Sequence, residues 1–157
     1  MDKWRRKFNH KNIFILLIVL TIFVFFIITI SNVFKRDYRI LVDPMELLNI
    51  AEEGAVNKLI IDLRDREDYE ASHIKNTINL PFVDASEIDA YLSKHNSKNK
   101  TIYLLCYSGN RSSQVFNYLS ENGYKSLVYV NFGYEDFLEH TQDSFVPATG
   151  PCQCLNE

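Results

Sequence analysis

Residues 101–113 read TIYLLCYSGNRSS. The apolar run Thr101–Leu105 ends on Cys106, a short polar loop containing Gly109 follows, and Arg111 leads into a helix-compatible stretch. An apolar run of this length, bounded by turn residues, reads as a buried strand. In RSSQVFNYLSENGY, residues 111–124, Val115, Phe116 and Leu119 fall on one helical face and Gly123 supplies the stop. Strand, tight loop and helix in succession form the repeating unit of an α/β layer fold.

The flanking sequence repeats the alternation. YRILV (38–42) reads as a first strand. In DPMELLNIAEE (43–53) Asp43 stands at the N-cap, Pro44 at the first helical position and Gly54 just past the end. KLIIDL (58–63) is a second buried strand, followed by the charged stretch RDREDYEASHI (64–74). TINLP (77–81) is a strand closed by proline, and SEIDAYLSKH (86–95) a short helix. SLVYV (126–130) is the last strand, and GYEDFLEH (133–140) closes the domain as a helix. Parallel strands need helical crossovers, so the fold class is α/β: a mainly parallel sheet flanked by helices on both faces. Ligands of such sheets bind beyond the carboxyl ends of the strands, where Cys106 lies.

The N-terminal fifth of the chain is different. Residues 12–34 carry no charge, and IFILLIVLTIFVFFIITI (13–30) is almost wholly apolar. At about 1.5 Å of rise per residue such a segment spans a hydrocarbon core of roughly 30 Å. A cleaved signal peptide has a shorter apolar region, and no A-x-A site follows this one; Thr29 and Ser31 make a poor substitute. The expectation is a retained transmembrane helix over 12–34, preceded by a basic segment at 1–11. Lys3, Arg5, Arg6, Lys7 and Lys11 precede the span, and Lys35, Arg36 and Arg39 follow it. The excess on the N-terminal side puts that end in the cytoplasm and the domain outside the cell membrane.

Charge divides at the same boundary. Residues 1–36 hold seven bases and one acid, and residues 37–157 hold ten bases and nineteen acids. The acidic remainder excludes a nucleic-acid footprint and a domain lying flat on anionic lipid. The cysteines are Cys106, Cys152 and Cys154. With one in the core region and two in a tail without a neighbouring histidine, neither a disulfide framework nor a metal site is expected, and no cofactor is implied.

The loop after Cys106 has chemical consequences. Its backbone N–H groups, and those of the following first helical turn, have no ladder partner. Curled around the sulfur, with the helix dipole behind them, they favour thiolate over thiol. Gly109 permits the curl, and Arg111 adds a fixed cation that either binds an anionic donor or braces the loop. Cys106 is the candidate nucleophile. Tyr107, Ser108, Gly109, Asn110, Arg111 and Ser112 are the candidate substrate-binding residues. Asp62 ends the strand expected beside that of Cys106 and has a supporting role, as a turn cap or in positioning the loop. Arg64, also supporting, is expected to pair with Asp68.

CYSGNRS resembles the active-site loop of the rhodanese-like sulfurtransferases, C-x-x-G-x-R-S. IIDLRDREDYEASHIKNTINLP is similar to a second family segment at Asp62, Arg64, Tyr69, His73, Ile74 and Pro81, and VYVNFGYEDF resembles the segment that closes the domain. The resemblance runs from Tyr38 to His140, which defines a rhodanese-like domain at 38–140 and a flexible tail at 141–157. Ser72 and Asn76 stand where the family has glycines, Phe132 replaces the first glycine of the closing pair, and Phe137 replaces a tryptophan. The four residues between Cys106 and Arg111 are one fewer than in the Cdc25-type phosphatases of the same fold, which favours a sulfur-bound group over phosphate. The resemblance implies a sulfurtransferase: a sulfane sulfur passes from thiosulfate or a thiol persulfide to Cys106, and from that persulfide to a thiol acceptor. It also reads His73 as a packed turn residue. Two alternatives stay open. One is a non-catalytic binding module. The other is an extracytoplasmic thiol–disulfide oxidoreductase in which Cys152 or Cys154 exchanges with Cys106, or relays its sulfur.

Overall fold

The computed structural model describes residues 10–33, 36–54 and 56–152. It divides into an N-terminal unit through Lys35 and a second unit from Arg36 onward. The first contains one helix, α1 (His10–Val33). From Ile13 to Ile30 its large apolar side chains are exposed, so no protein core accounts for them. Thr21 and Thr29 turn their hydroxyls onto carbonyls of the preceding turn, at Ile18, Phe25 and Phe26. Their polar groups are thus satisfied without solvent. Length and composition suit a membrane span or a signal sequence.

Among the described residues of the second unit, five strands form one parallel sheet: β1 (Asp37–Leu41), β2 (Lys58–Asp62), β3 (Thr77–Asn79), β4 (Thr101–Cys106) and β5 (Ser126–Gly133). Their spatial order is β1-β5-β4-β2-β3. The crossovers carry α2 (Pro44–Glu53), α3 (Arg66–Ala71), α4 (Ala85–Lys94) with a short 3₁₀ turn at Ser97–Asn99, and α5 (Asn110–Glu121). A final helix, α6 (Tyr134–Thr141), follows β5.

Alternation along the strands builds two cores, one on each face of the sheet. Ile60, Tyr103, Leu105, Val128 and Val130 pack with Leu47, Leu48 and Ala51 of α2 and Phe137 of α6. Ile61, Ile102, Leu104 and Leu127 pack with Ile88 and Leu92 of α4 and Val115 and Leu119 of α5. Phe137, in the place of the family's tryptophan, is fully buried, and Phe132 belongs to the same core.

The connection leaving β2 runs to β3 on one side, and the connection leaving β4 runs to β5 on the other. The sheet therefore divides between β2 and β4, and a crevice opens beyond their carboxyl ends. Cys106 and Asp62 both end there.

Local sequence explains the element ends. Asp43 caps α2 by accepting from the Met45 N–H at 2.9 Å, and Gly54 closes it at φ +56°. The charged stretch after β2 forms α3, opened by Asp65 with Glu67 and Asp68 in its first turn, where acids complement the helix dipole. Asn76 explains one departure from the family pattern. It sits at φ +64° in the left-handed region, where glycine is free and asparagine is the best-tolerated alternative, and its Nδ2 donates to the Ala51 carbonyl at 2.9 Å. Ser72 has an extended backbone and needs no glycine.

The segment expected as a flexible tail lies against the domain over its described part. Ala148 exchanges two backbone hydrogen bonds with His73, both at 2.9 Å, and the Gly150 N–H donates to the Glu70 carbonyl at 2.7 Å.

Asn76→Ala and Asn76→Gly both lose the bond to Ala51, but only alanine must hold the left-handed conformation. The alanine variant is expected to be less stable by about 1–2 kcal/mol, measured by urea unfolding of the full chain in detergent; equal stabilities would refute the strain argument.

Candidate active site at the end of β4

Cys106 is the last residue of β4; its side chain is 1% exposed and its thiol is free. The chain then turns through Tyr107 and Ser108 into α5, which Gly109 caps at φ +85°. The Gly109 N–H donates to Cys106 Sγ at 3.1 Å. A Cβ at Gly109 would lie 2.6 Å from the Tyr129 hydroxyl, so both conformation and space require glycine.

Ser112, in the first turn of α5, is fully enclosed. Among the described residues its Oγ is the one buried side-chain oxygen or nitrogen that no regular hydrogen bond satisfies. Burial pushes the Cys106 thiol up. The Ser112 hydroxyl and the N–H groups of Ser112, Ser108 and Gly109 outweigh it, and the thiol lies below its ordinary value. Ser108 and Asn110 are exposed at the mouth.

Arg111 serves as a brace. Its Nη1 donates to the Leu63 carbonyl at 3.2 Å and to Asp65 Oδ1 at 3.0 Å, and its guanidinium lies 4.8 Å from the centre of the Tyr107 ring. The Tyr107 hydroxyl donates to the Asp68 carboxylate and accepts from the Asp65 N–H at 3.1 Å. Burial first, then the bond to Asp68, push the Tyr107 phenol up to about 12.

Asp62 and Arg64 form a buried pair behind this segment. Arg64 Nη2 donates to Asp62 Oδ2 at 2.8 Å, Nε reaches both carboxylate oxygens at 3.1 Å, and the Arg64 N–H donates to Oδ1 at 3.0 Å. The expected Arg64–Asp68 pair does not form. The chain turns back at Arg64, Asp62 reaches the guanidinium first, and Asp68 goes to Tyr107. Asp62 is thus a turn cap and a counter-ion together.

The loop residues 106–112 are brought together; His73 and Cys152 stand elsewhere. His73 is buried in the turn between α3 and β3, stacked on Tyr69 at 3.9 Å, with Nδ1 on the Tyr69 carbonyl at 2.8 Å. Cys152 is buried beside Tyr69, His73 and Thr77 and is disulfide-bonded, two strands away from β4. Cys154 lies outside the described residues.

Two contributors escape sequence reasoning, Asp65 and Gly133. Asp65 stands in a charged run whose spacing gives no sign of Arg111, 46 residues away. Gly133 is required because a Cβ there would fall 1.8 Å from the Tyr107 carbonyl oxygen; the GYEDF closing segment was its signal.

The rhodanese-like domain family matches residues 43–140, more than half of the chain, and the chain belongs to that family. It is 32% identical over 82 residues to the thiosulfate sulfurtransferase GlpE of Coxiella burnetii, covering 52% of this chain and 73% of that protein. It is 33% identical over 95 residues to the adenylyltransferase and sulfurtransferase UBA4 of Debaryomyces hansenii, covering 58% of this chain but 21% of that protein. A match to a probable molybdopterin-synthase adenylyltransferase of Porphyra purpurea spans 22% of its length, so the chain matches about a fifth of these two larger proteins. Among solved structures, a rhodanese-like domain protein from Staphylococcus aureus superposes with a TM-score of 0.51 at 29% identity, covering 63% of this chain and 90% of that one. The single-domain sulfurtransferase RDL2 of Saccharomyces cerevisiae shares the fold, with a TM-score of 0.56 at 17% identity and 69% and 95% coverage.

Ser112→Ala removes one donor from the sulfur. The pH midpoint for alkylation of Cys106 by iodoacetamide is expected to rise towards the ordinary thiol value in this variant. An unchanged midpoint would mean that the backbone amides alone hold the thiolate.

Proposed function

We propose that the chain is a membrane-anchored sulfurtransferase that carries a sulfane sulfur as a persulfide on Cys106. The observation that carries this reading is the free, enclosed Cys106 thiol, lowered by converging donors at the head of α5. A thiolate at this position attacks the outer sulfur of thiosulfate or of a thiol persulfide. The S–S bond of the donor breaks, sulfite or a thiol leaves, and Cys106 holds one added sulfur. The N–H groups and the Ser112 hydroxyl that stabilise the thiolate also stabilise the terminal persulfide anion. A thiol acceptor, or cyanide in a test reaction, then takes the sulfur and returns the thiolate.

The apolar run Ile13–Ile30 of α1, with its threonine hydroxyls satisfied internally, supports anchoring in the lipid bilayer. The basic flank of residues 1–11 supports a cytoplasmic N-terminus and an extracytoplasmic domain. Exchange between Cys106 and the tail is the weaker reading, because Cys106 is free while Cys152 is bonded elsewhere.

The full chain in detergent, incubated with thiosulfate or with cysteine persulfide, is expected to gain one sulfur. The sulfur maps to the Cys106 peptide, disappears on adding cyanide, and is absent from Cys106→Ser. A folded, reduced protein that gains no sulfur from either donor sinks the proposal and returns the domain to a binding role.

A further inference from the structure

The loop Cys106–Ser112 contains one cation, Arg111, and that cation is already engaged. Its Nη1 is shared between the Leu63 carbonyl and the Asp65 carboxylate, and Tyr107 stacks against the guanidinium. Tyr107 is itself held by the Asp68 carboxylate and the Asp65 N–H. Residues 65–68 read Asp-Arg-Glu-Asp and are all exposed. Asp65 and Asp68 therefore stand beside the Cys106 loop, against an Arg111 whose charge Asp65 offsets at 3.0 Å. Asp65 is more exposed than Arg111, with 60% and 31% of their side-chain surfaces open, so an approaching molecule meets the carboxylate more than the guanidinium.

Donors differ in what they demand here. Thiosulfate is a dianion: the Cys106 thiolate attacks its outer sulfur, the S–S bond breaks, and a sulfite dianion leaves with the electron pair. Three negative charges crowd the mouth throughout. A thiol persulfide R–S–S–H transfers its terminal sulfur to the thiolate, giving the Cys106 persulfide anion, and the proton passes to the departing sulfur to release R–S–H. That exchange carries one negative charge from start to finish, or two where the persulfide enters as its anion and a thiolate leaves, against three for thiosulfate.

Resting on the sulfurtransferase reading, we infer that Asp65, assisted by Asp68, sets the donor class by closing the anion seat at Arg111, so that thiol persulfides are used in preference to thiosulfate. Asp65 is a specificity residue acting through Arg111 and Tyr107; the backbone donors at the sulfur are untouched by it.

The test follows the rate of sulfur gain on Cys106 by intact mass, in the full chain in detergent, with thiosulfate and with cysteine persulfide as donors. The wild-type second-order constant is expected to be at least about tenfold larger for the persulfide, and the thiosulfate constant to rise with added salt as like charges are screened. Asp65→Asn is expected to shift the ratio of the two constants towards thiosulfate by about five- to tenfold and to flatten the salt dependence. Asp65→Glu, which keeps the charge, should return the wild-type ratio. Asp68→Asn, which leaves the Arg111–Asp65 pair in place, should shift the ratio in the same direction by a smaller factor.

A wild-type preference for thiosulfate overturns the inference. So does an Asp65→Asn variant that slows both donors equally with an unchanged ratio, because that is the signature of a brace alone. Transfer from neither donor in the wild type overturns the sulfurtransferase reading itself, and a transfer-competent wild type separates that failure from failure of the inference.

Discussion

The buried Asp62–Arg64 pair is the constraint on which the site depends. Two opposite charges, 0% and 4% exposed, lie between the sheet and α6, where an unpaired charge would be strongly unfavourable. Both groups are therefore held by several partners. Asp62 receives Arg64 through both carboxylate oxygens and through the backbone N–H. Arg64 donates its remaining reach to the Ser72 carbonyl at 2.8 Å and lies 3.5 Å from the centre of the Tyr134 ring. Asn79 closes the turn from below, with Nδ2 on the Asp62 and Arg64 carbonyls. The end of β2, the far end of α3, β3 and the start of α6 are thereby fixed to one another. In such pairs, removing one partner costs about 3–5 kcal/mol, whereas exchanging both for well-packed apolar groups is often near neutral. What the pair contributes here is position.

That position is transmitted to the cysteine loop. Residues 63–68 emerge from the pair and present the Leu63 carbonyl, the Asp65 N–H and carboxylate, and the Asp68 carboxylate on one side. Arg111 and Tyr107 bind these four groups. The loop is held from the other side by β5, whose Gly133 allows the Tyr107 carbonyl to approach too closely for any side chain. Suspended between the two, the loop keeps its N–H groups aimed at the sulfur without any bond from a donor molecule. Preorganisation of this kind requires no reordering when charge develops on the sulfur.

The alternation of apolar runs with helical stretches was enough to read the layers, because the central strand β4 is buried on both faces and α2, α4 and α5 each bury one apolar stripe. Ile60 and Ile61 facing opposite cores are the direct expression of that pattern. Cys106 and its loop were legible because strand end, glycine and helix start are contiguous in sequence. What escaped were partners distant in sequence. Arg64 was expected to pair locally with Asp68, yet the sharp turn at the end of β2 brings Asp62 nearer and leaves Asp68 to a tyrosine 39 residues away. The short α3 was hidden because its six residues show one buried side chain, Tyr69, and no apolar stripe. The tail reads as flexible from its prolines and glycines. Its docking rests on backbone hydrogen bonds to His73 and Glu70, which composition does not encode.

Reactivity and selectivity are set at different distances in this site. The groups that lower the thiol are neutral dipoles in contact with the sulfur: the amides of residues 108, 109 and 112 and the Ser112 hydroxyl. Dipoles act over a few ångströms and change little when charge at the surface changes. The groups at the mouth carry full charges, and full charges act out to the screening length of roughly 8–10 Å at moderate salt. They are felt by whatever approaches more than by the enclosed sulfur. A rhodanese-like loop built this way keeps its nucleophile when the charge at residue 65 is neutralised but an acceptor is retained, because Arg111 needs only a carbonyl and one acceptor to remain a brace. The acidic run after β2, tied to the loop through Arg111 and Tyr107, thus bears on what approaches the site more than on the enclosed thiolate.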